Sequence, residues 1–137
     1  MSNLLFLNKR GFTADFSWLK NLEKILKKKT KLKKTVSIAL LSEEEIKQLN
    51  RVYRNKNKIT DVLSFTIASD DILGEVLICP NQARVQAKKN SQTNKQELQL
   101  LTIHGILHLL GYDHEASVKD AAKQERLEQE ILKILHK

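Results

Sequence analysis

The chain has 137 residues and carries 24 Lys and Arg against 16 Asp and Glu, a net charge of +8. Its hydrophobic fraction of 41% supports a core rather than wholesale disorder, and the size is that of one domain, residues 1–137. No apolar run approaches the ~18 residues of a membrane span, the start MSNLLFLNKRG does not read as a signal peptide, and the lone Cys79 cannot form an internal disulfide, so a cytoplasmic protein with no membrane partner is expected.

In chain order, residues 3–8 read as a short strand. A helix follows over about 13–29, with Phe12, Phe16, Leu19, Leu22 and Leu26 at the 3–4 spacing of a buried stripe. Lys20, Lys24, Lys27, Lys28 and Lys31 fall largely on its other side. Residues 35–41 (TVSIALL) are β-branched and apolar, the pattern of a strand. Ser42 and Glu45 form a capping box for a helix running to about residue 53, and Glu43 and Glu44 suit the positive end of its dipole. The basic segment RNKNKIT (54–60) is a loop. Residues 61–68 and 74–78 read as two strands of a hairpin, with turn residues between them. Pro80 suits a first helical turn, so a helix is expected over 81–90. A long apolar helix over 95–110 ends at Gly111, where a C-terminal glycine cap belongs. Ser117 caps a last helix to residue 135, whose stripe is Leu127, Ile131, Ile134 and Leu135.

This order, with both a hairpin and helical crossovers, implies an α+β domain: a mixed sheet of about four strands packed with about five helices. Strand order is not readable from it.

Three of four histidines lie within TIHGILHLLGYDHE. His104 and His108, four apart on a helix, project from one face about 40° apart around its axis. Gly111 lets the chain reverse, and His114 returns three residues later. The spacing H-x3-H-x2-G-x2-H matches that of metzincin metal ligands. A buried histidine is more often a hydrogen-bonded core residue, but packing does not account for three at this spacing. The pattern points to one Zn²⁺ held by His104, His108 and His114, with water in the open position. His136, at the C-terminal end, reads as solvated.

In zincins a glutamate follows the first histidine as general base. Here Gly105 occupies that position, which argues against a peptidase. Asp61, Glu75, Asp113 and Glu115 are the candidate carboxylates to serve instead. Cys79 completes a structural zinc site only if it lies near the histidines; its place before Pro80 suits a small core residue.

All of the excess charge lies in residues 1–35, with ten basic and two acidic side chains. Two acid-free stretches are hidden in the neutral remainder. One carries Lys47, Arg51, Arg54, Lys56 and Lys58; the other carries Arg84, Lys88, Lys89 and Lys95. Such charge beside a metal suits an anionic substrate. Arg54 is the candidate for phosphate recognition, because its fork binds two oxygens and its charge does not titrate away; it also suits a plain helix C-terminal role. Arg51, Lys56, Lys58, Arg84 and Lys88 are candidate RNA contacts. Phe65 and Tyr112 are the few aromatic candidates for stacking on bases, and both also suit the core.

The segments LNRVYRNKNKITDVLSF (49–65), LGEVLICPNQARVQAKK (73–89) and LLTIHGILHLLGYDHE (100–115) resemble the YbeY family of bacterial endoribonucleases. The likeness extends more loosely over about 36–135, and the first 35 residues match only in general plan. The resemblance implies an α+β fold and a metal-dependent endoribonuclease of single-stranded RNA. It implies action in maturation of the 16S ribosomal RNA 3′ end and in ribosome quality control. It places the family's ligands on His104, His108 and His114, with zinc as the usual metal, and its functional arginine on Arg54. It also implies partners: the small ribosomal subunit, a ribosomal protein and a ribosome-associated GTPase. Thr66 replaces the family's usual proline, and Glu75 its usual aspartate. The alternatives from the residues alone are a zinc metallohydrolase or peptidase, and a ribosome-binding factor with structural zinc.

Overall fold

A computed structural model describes residues 3–54, 62–112 and 118–136. The elements are β1 (Leu5–Asn8), α1 (Leu19–Lys29), β2 (Thr35–Leu40), α2 (Glu43–Arg54), β3 (Val62–Thr66), β4 (Ile72–Ile78), α3 (Pro80–Lys89), α4 (Asn94–Leu109) and α5 (Val118–Leu135). The strands form one mixed sheet in the order β1-β2-β4-β3. β1, β2 and β4 run parallel, and β3 pairs antiparallel with β4, Ser64 opposite Val76 and Phe65 opposite Glu75. The expected α+β architecture, hairpin and helix count all hold.

The alternation along β4 divides the molecule. Val76 and Ile78 join the main core with Leu22 and Leu26 of α1, Ala83 of α3, Ile103 and Ile106 of α4 and Ile131 of α5. Leu77 and Cys79 point the other way, into a smaller cluster with Leu41, Ile46 of α2 and Leu63. One sheet face thus carries four helices and the other carries α2. α4 packs against β3, β4, α3 and α5. It is apolar almost all round, with Leu98, Leu101, Ile103, Ile106, Leu107 and Leu109 buried, as a central helix must be. Among the described residues no helix is long and apolar enough to cross a membrane.

Several ends differ from the sequence reading. Residues 13–18 are not helical, so α1 is six residues shorter than expected at its start. Asp15 Oδ1 accepts from the Ser17 amide and hydroxyl, and the Trp18 indole Nε1–H donates to the Asp15 carbonyl. These local bonds compete with helix formation. Phe16 and Trp18 still reach the core from this loop, their rings 4.9 Å apart. α2 has its capping box: the Glu45 amide donates to Ser42 Oγ at 3.2 Å, and the Ser42 amide donates to Glu45 Oε1 at 3.0 Å. α4 starts on a second capping box, Thr93 with Gln96, which the sequence reading did not single out. Pro80 takes the first turn of α3. Asp61 and Ser117 lie outside the described residues.

Candidate metal centre

His104 and His108 sit one turn apart on α4, their ring centroids 6.1 Å apart and their planes 13° from parallel. Glu128 Oε1 on α5 lies 2.5 Å from His104 Nδ1, and the Gln124 side-chain amide donates to the same oxygen at 3.1 Å. Gln124 Nε2 and His104 Nδ1 are themselves 3.1 Å apart. Two donors converging on one carboxylate oxygen produce that spacing. Nδ1 therefore carries the proton toward Glu128, and the ring lone pair is on Nε2, the form in which imidazole binds a metal. Ser64 of β3 brings its Oγ to 3.5 Å from His108 Nδ1. A carboxylate behind one imidazole and a hydroxyl beside the next is the surrounding that metal-ligating histidines require.

Sequence reasoning missed Glu128 and Gln124. A signal was present: at positions 124 and 128 polar residues interrupt the same face that carries Leu127, Ile131 and Leu135. Both are buried, 2% exposed for Gln124 and 8% for Glu128. A buried carboxylate on an apolar stripe needs a donor, and His104 supplies it.

The turn after His108 is built as expected. Gly111 has φ +99°. Its amide donates to the His108 carbonyl at 3.1 Å, and the Tyr112 amide donates to Leu107 at 3.0 Å, the paired bonds of a Schellman cap. The chain is thereby turned directly after the second histidine. His114 lies outside the described residues, as do Asp113 and Glu115. Among the described residues no three His, Cys, Asp or Glu side chains gather to hold a metal ion. The two imidazoles, oriented by Glu128 and Ser64, fit two positions of such a site.

Gly105 has a packing reason. A Cβ at this position would meet Val76 Cγ1 at 2.7 Å. The position that carries the zincin general base is here the contact of α4 with the sheet. Glu75 is no substitute base: it alternates with Val76 and faces away from α4, on the side of Leu77. Cys79 is fully buried in that same far cluster, so it does not complete a zinc site with the histidines. Phe65 packs there too, which removes it as a base-stacking candidate beside the metal. Tyr112 is half-buried and packs against the main core. His136 is not simply solvated, because its Nε2 lies 2.8 Å from Oε1 of the buried Gln99.

The basic candidates are dispersed. Arg54 is the last residue of α2; its side chain, and all of Lys56 and Lys58, lie outside the described residues. Arg51 is exposed on α2, beside Glu44 and Lys47. Arg84 and Lys88 are exposed on α3. Arg84 borders a groove shared with Asp15 and the first turns of α4, at the opposite end of that helix from His108. The structure does not bring Arg84 to the histidine pair.

The profile of the family described as Endoribonuclease YbeY matches residues 7–136. The chain belongs to the YbeY family. The match reaches well into the first 35 residues, further than the motifs alone suggested. An Endoribonuclease YbeY of Staphylococcus carnosus is 34% identical over 85% of this chain and 93% of its own length. One from Thermodesulfovibrio yellowstonii is 44% identical over 71% of this chain, an alignment spanning 64% of that protein. A Thermotoga maritima protein solved in solution superposes with a TM-score of 0.69 at 32% identity, covering 96% of this chain and 88% of the other. The YbeY fold therefore extends over nearly the whole chain, and the histidine-bearing α4 is its central helix.

Proposed function

We propose that this YbeY-family endoribonuclease cuts single-stranded RNA at a zinc ion held by His104, His108 and His114, with Arg54 against the scissile phosphate. The observation that carries the reading is the Glu128 carboxylate 2.5 Å behind His104 Nδ1. It fixes the tautomer whose Nε2 binds metal and holds the ring against rotation. When bound, a zinc ion polarises a phosphoryl oxygen and lowers the pKa of coordinated water toward ~7. The protein's own part is positional. Glu128 and Gln124 orient His104, Ser64 flanks His108, and the Gly111 cap turns the chain directly after His108. Arg54 neutralises and orients the phosphate through its planar fork. With Gly105 packed on Val76, no glutamate follows the first histidine, which argues against the peptidase alternative despite the ligand spacing.

The substrate in the cell is ribosomal RNA: maturation of the 16S 3′ end and ribosome quality control in the cytoplasm, on or near the small subunit. Purified untagged protein is expected to cut a single-stranded RNA, and chelation or Arg54→Glu to abolish the cut. Cleavage of an unstructured protein but not of RNA, lost in His108→Ala, would overturn the reading. Activity surviving in His114→Ala would reveal a contaminating nuclease. Mapping the product ends distinguishes attack by water from attack by the RNA 2′-OH.

A further inference from the structure

α1 ends in a run of lysines, and the fold gives that run a partner surface. Lys28, Lys29 and Lys31 form one wall of a groove of about 530 Å³. Gly111 and Tyr112 form its floor after α4, and Lys123 of α5 closes it. Among the described residues no acidic side chain lines it. Two neighbouring lysines are already paired, Lys27 with Glu23 at 3.3 Å and Lys29 with Glu130 at 2.6 Å. Lys28, Lys31 and Lys123 have no ion pair among the described residues and are exposed. Three exposed lysines thus border one concavity with no counter-charge among the described residues, a surface that attracts a polyanion.

Along the chain, two of its lining residues adjoin the residues that hold the histidine pair. The Gly111 amide on its floor donates to the His108 carbonyl. Lys123 directly precedes Gln124, whose side chain reaches the His104–Glu128 pair. We propose that this groove binds backbone phosphates of the RNA strand flanking the bond to be cut; the proposal rests on the RNA-cleaving reading above. Lysines are point charges that read no sequence, as a flanking backbone contact requires. The half-buried Tyr112 ring offers the one aromatic surface in the groove for a base.

The test is the salt dependence of binding to a short, fluorescent, 2′-O-methylated single-stranded RNA, checked intact afterwards. Wild type is compared with Lys28→Gln/Lys31→Gln/Lys123→Gln. A control, Lys20→Gln/Lys24→Gln/Lys33→Gln, removes the same charge outside the groove. Three lost phosphate contacts lower the slope of log affinity against log salt by about 2, with at least ~10-fold weaker binding at low salt, while the control keeps the wild-type slope. Equal losses in both variants would assign the effect to diffuse charge and overturn the groove. So would a groove variant that keeps its RNA slope but loses affinity for a polyglutamate peptide. Wild-type protein that neither binds nor cuts RNA would instead overturn the functional reading itself.

Discussion

At the scale of single residues, the consequential positions are those with a buried partner. Glu128 is buried and bonded to His104. Glu128→Ala removes the acceptor that orients the ring, so zinc affinity is expected to fall about 10- to 100-fold, read by competition with a chromophoric chelator. Glu128→Gln keeps an acceptor oxygen and should lose less; unchanged affinity in both would remove Glu128 from the site. Gly105 sets two effects against each other. Alanine gains up to about 1 kcal/mol of helix propensity, but its Cβ lies 2.7 Å from the stiff Val76 side chain, an overpacking that costs about 1–3 kcal/mol. Gly105→Ala is therefore expected to be less stable in urea unfolding, and Gly105→Glu, which restores the peptidase pattern, should not fold. The pairing of His104 with His108 was readable because its spacing is local; His114 lies outside the described residues. Glu128 was legible only as a polar break in the α5 stripe, because nothing in the chain says that α5 lays position 128 against position 104.

At the scale of elements, capping was the clearest sequence signal, and it carries a pH dependence. Glu45 caps Ser42 and also pairs with Arg10 at 2.8 Å, and these contacts hold its carboxyl at about 2. Glu23 is pushed up by burial, but the Leu4 and Leu5 amides and Lys27 bring it below the ordinary carboxylate range. A carboxyl depressed by folding stabilises the fold above its unfolded pKa, and the gain is lost as pH falls through the folded value. The stability gap between wild type and Glu45→Gln should thus be full near pH 7 and shrink between about 4.5 and 2; a constant gap across that range would contradict the assignment. Ser42→Ala should cost about 1 kcal/mol at neutral pH by loss of the cap. The misplaced start of α1 teaches the converse. Phe12 and Phe16 kept the helical spacing, yet the Asp15 side chain bonds Ser17 locally and the backbone follows it. Periodicity reports which residues are buried; it does not report which backbone buries them.

At the scale of the whole molecule, the +8 charge resolves into local features. α1 anchors to the edge strand through Glu23 and to α5 through the Lys29–Glu130 pair. Lys28 and Lys31 border a groove beside the α4 cap, and Lys20, Lys24 and Lys33 lie outside it. The fold class followed from the element order alone, whereas the strand order β1-β2-β4-β3 depends on long-range pairing that no local pattern encodes. The alternation along β4, which is local, puts Val76 on the α4 face and Glu75 and Leu77 on the other. The central claim is a metal centre on α4 and its turn. Its most direct test is the zinc content of untagged protein, wild type against His104→Ala/His108→Ala, by elemental analysis. The account predicts about one equivalent per chain in wild type, as expected for a single three-histidine site, and none in the double variant. Absence of metal from wild type under zinc-replete growth, or an undiminished equivalent in the variant, would contradict it.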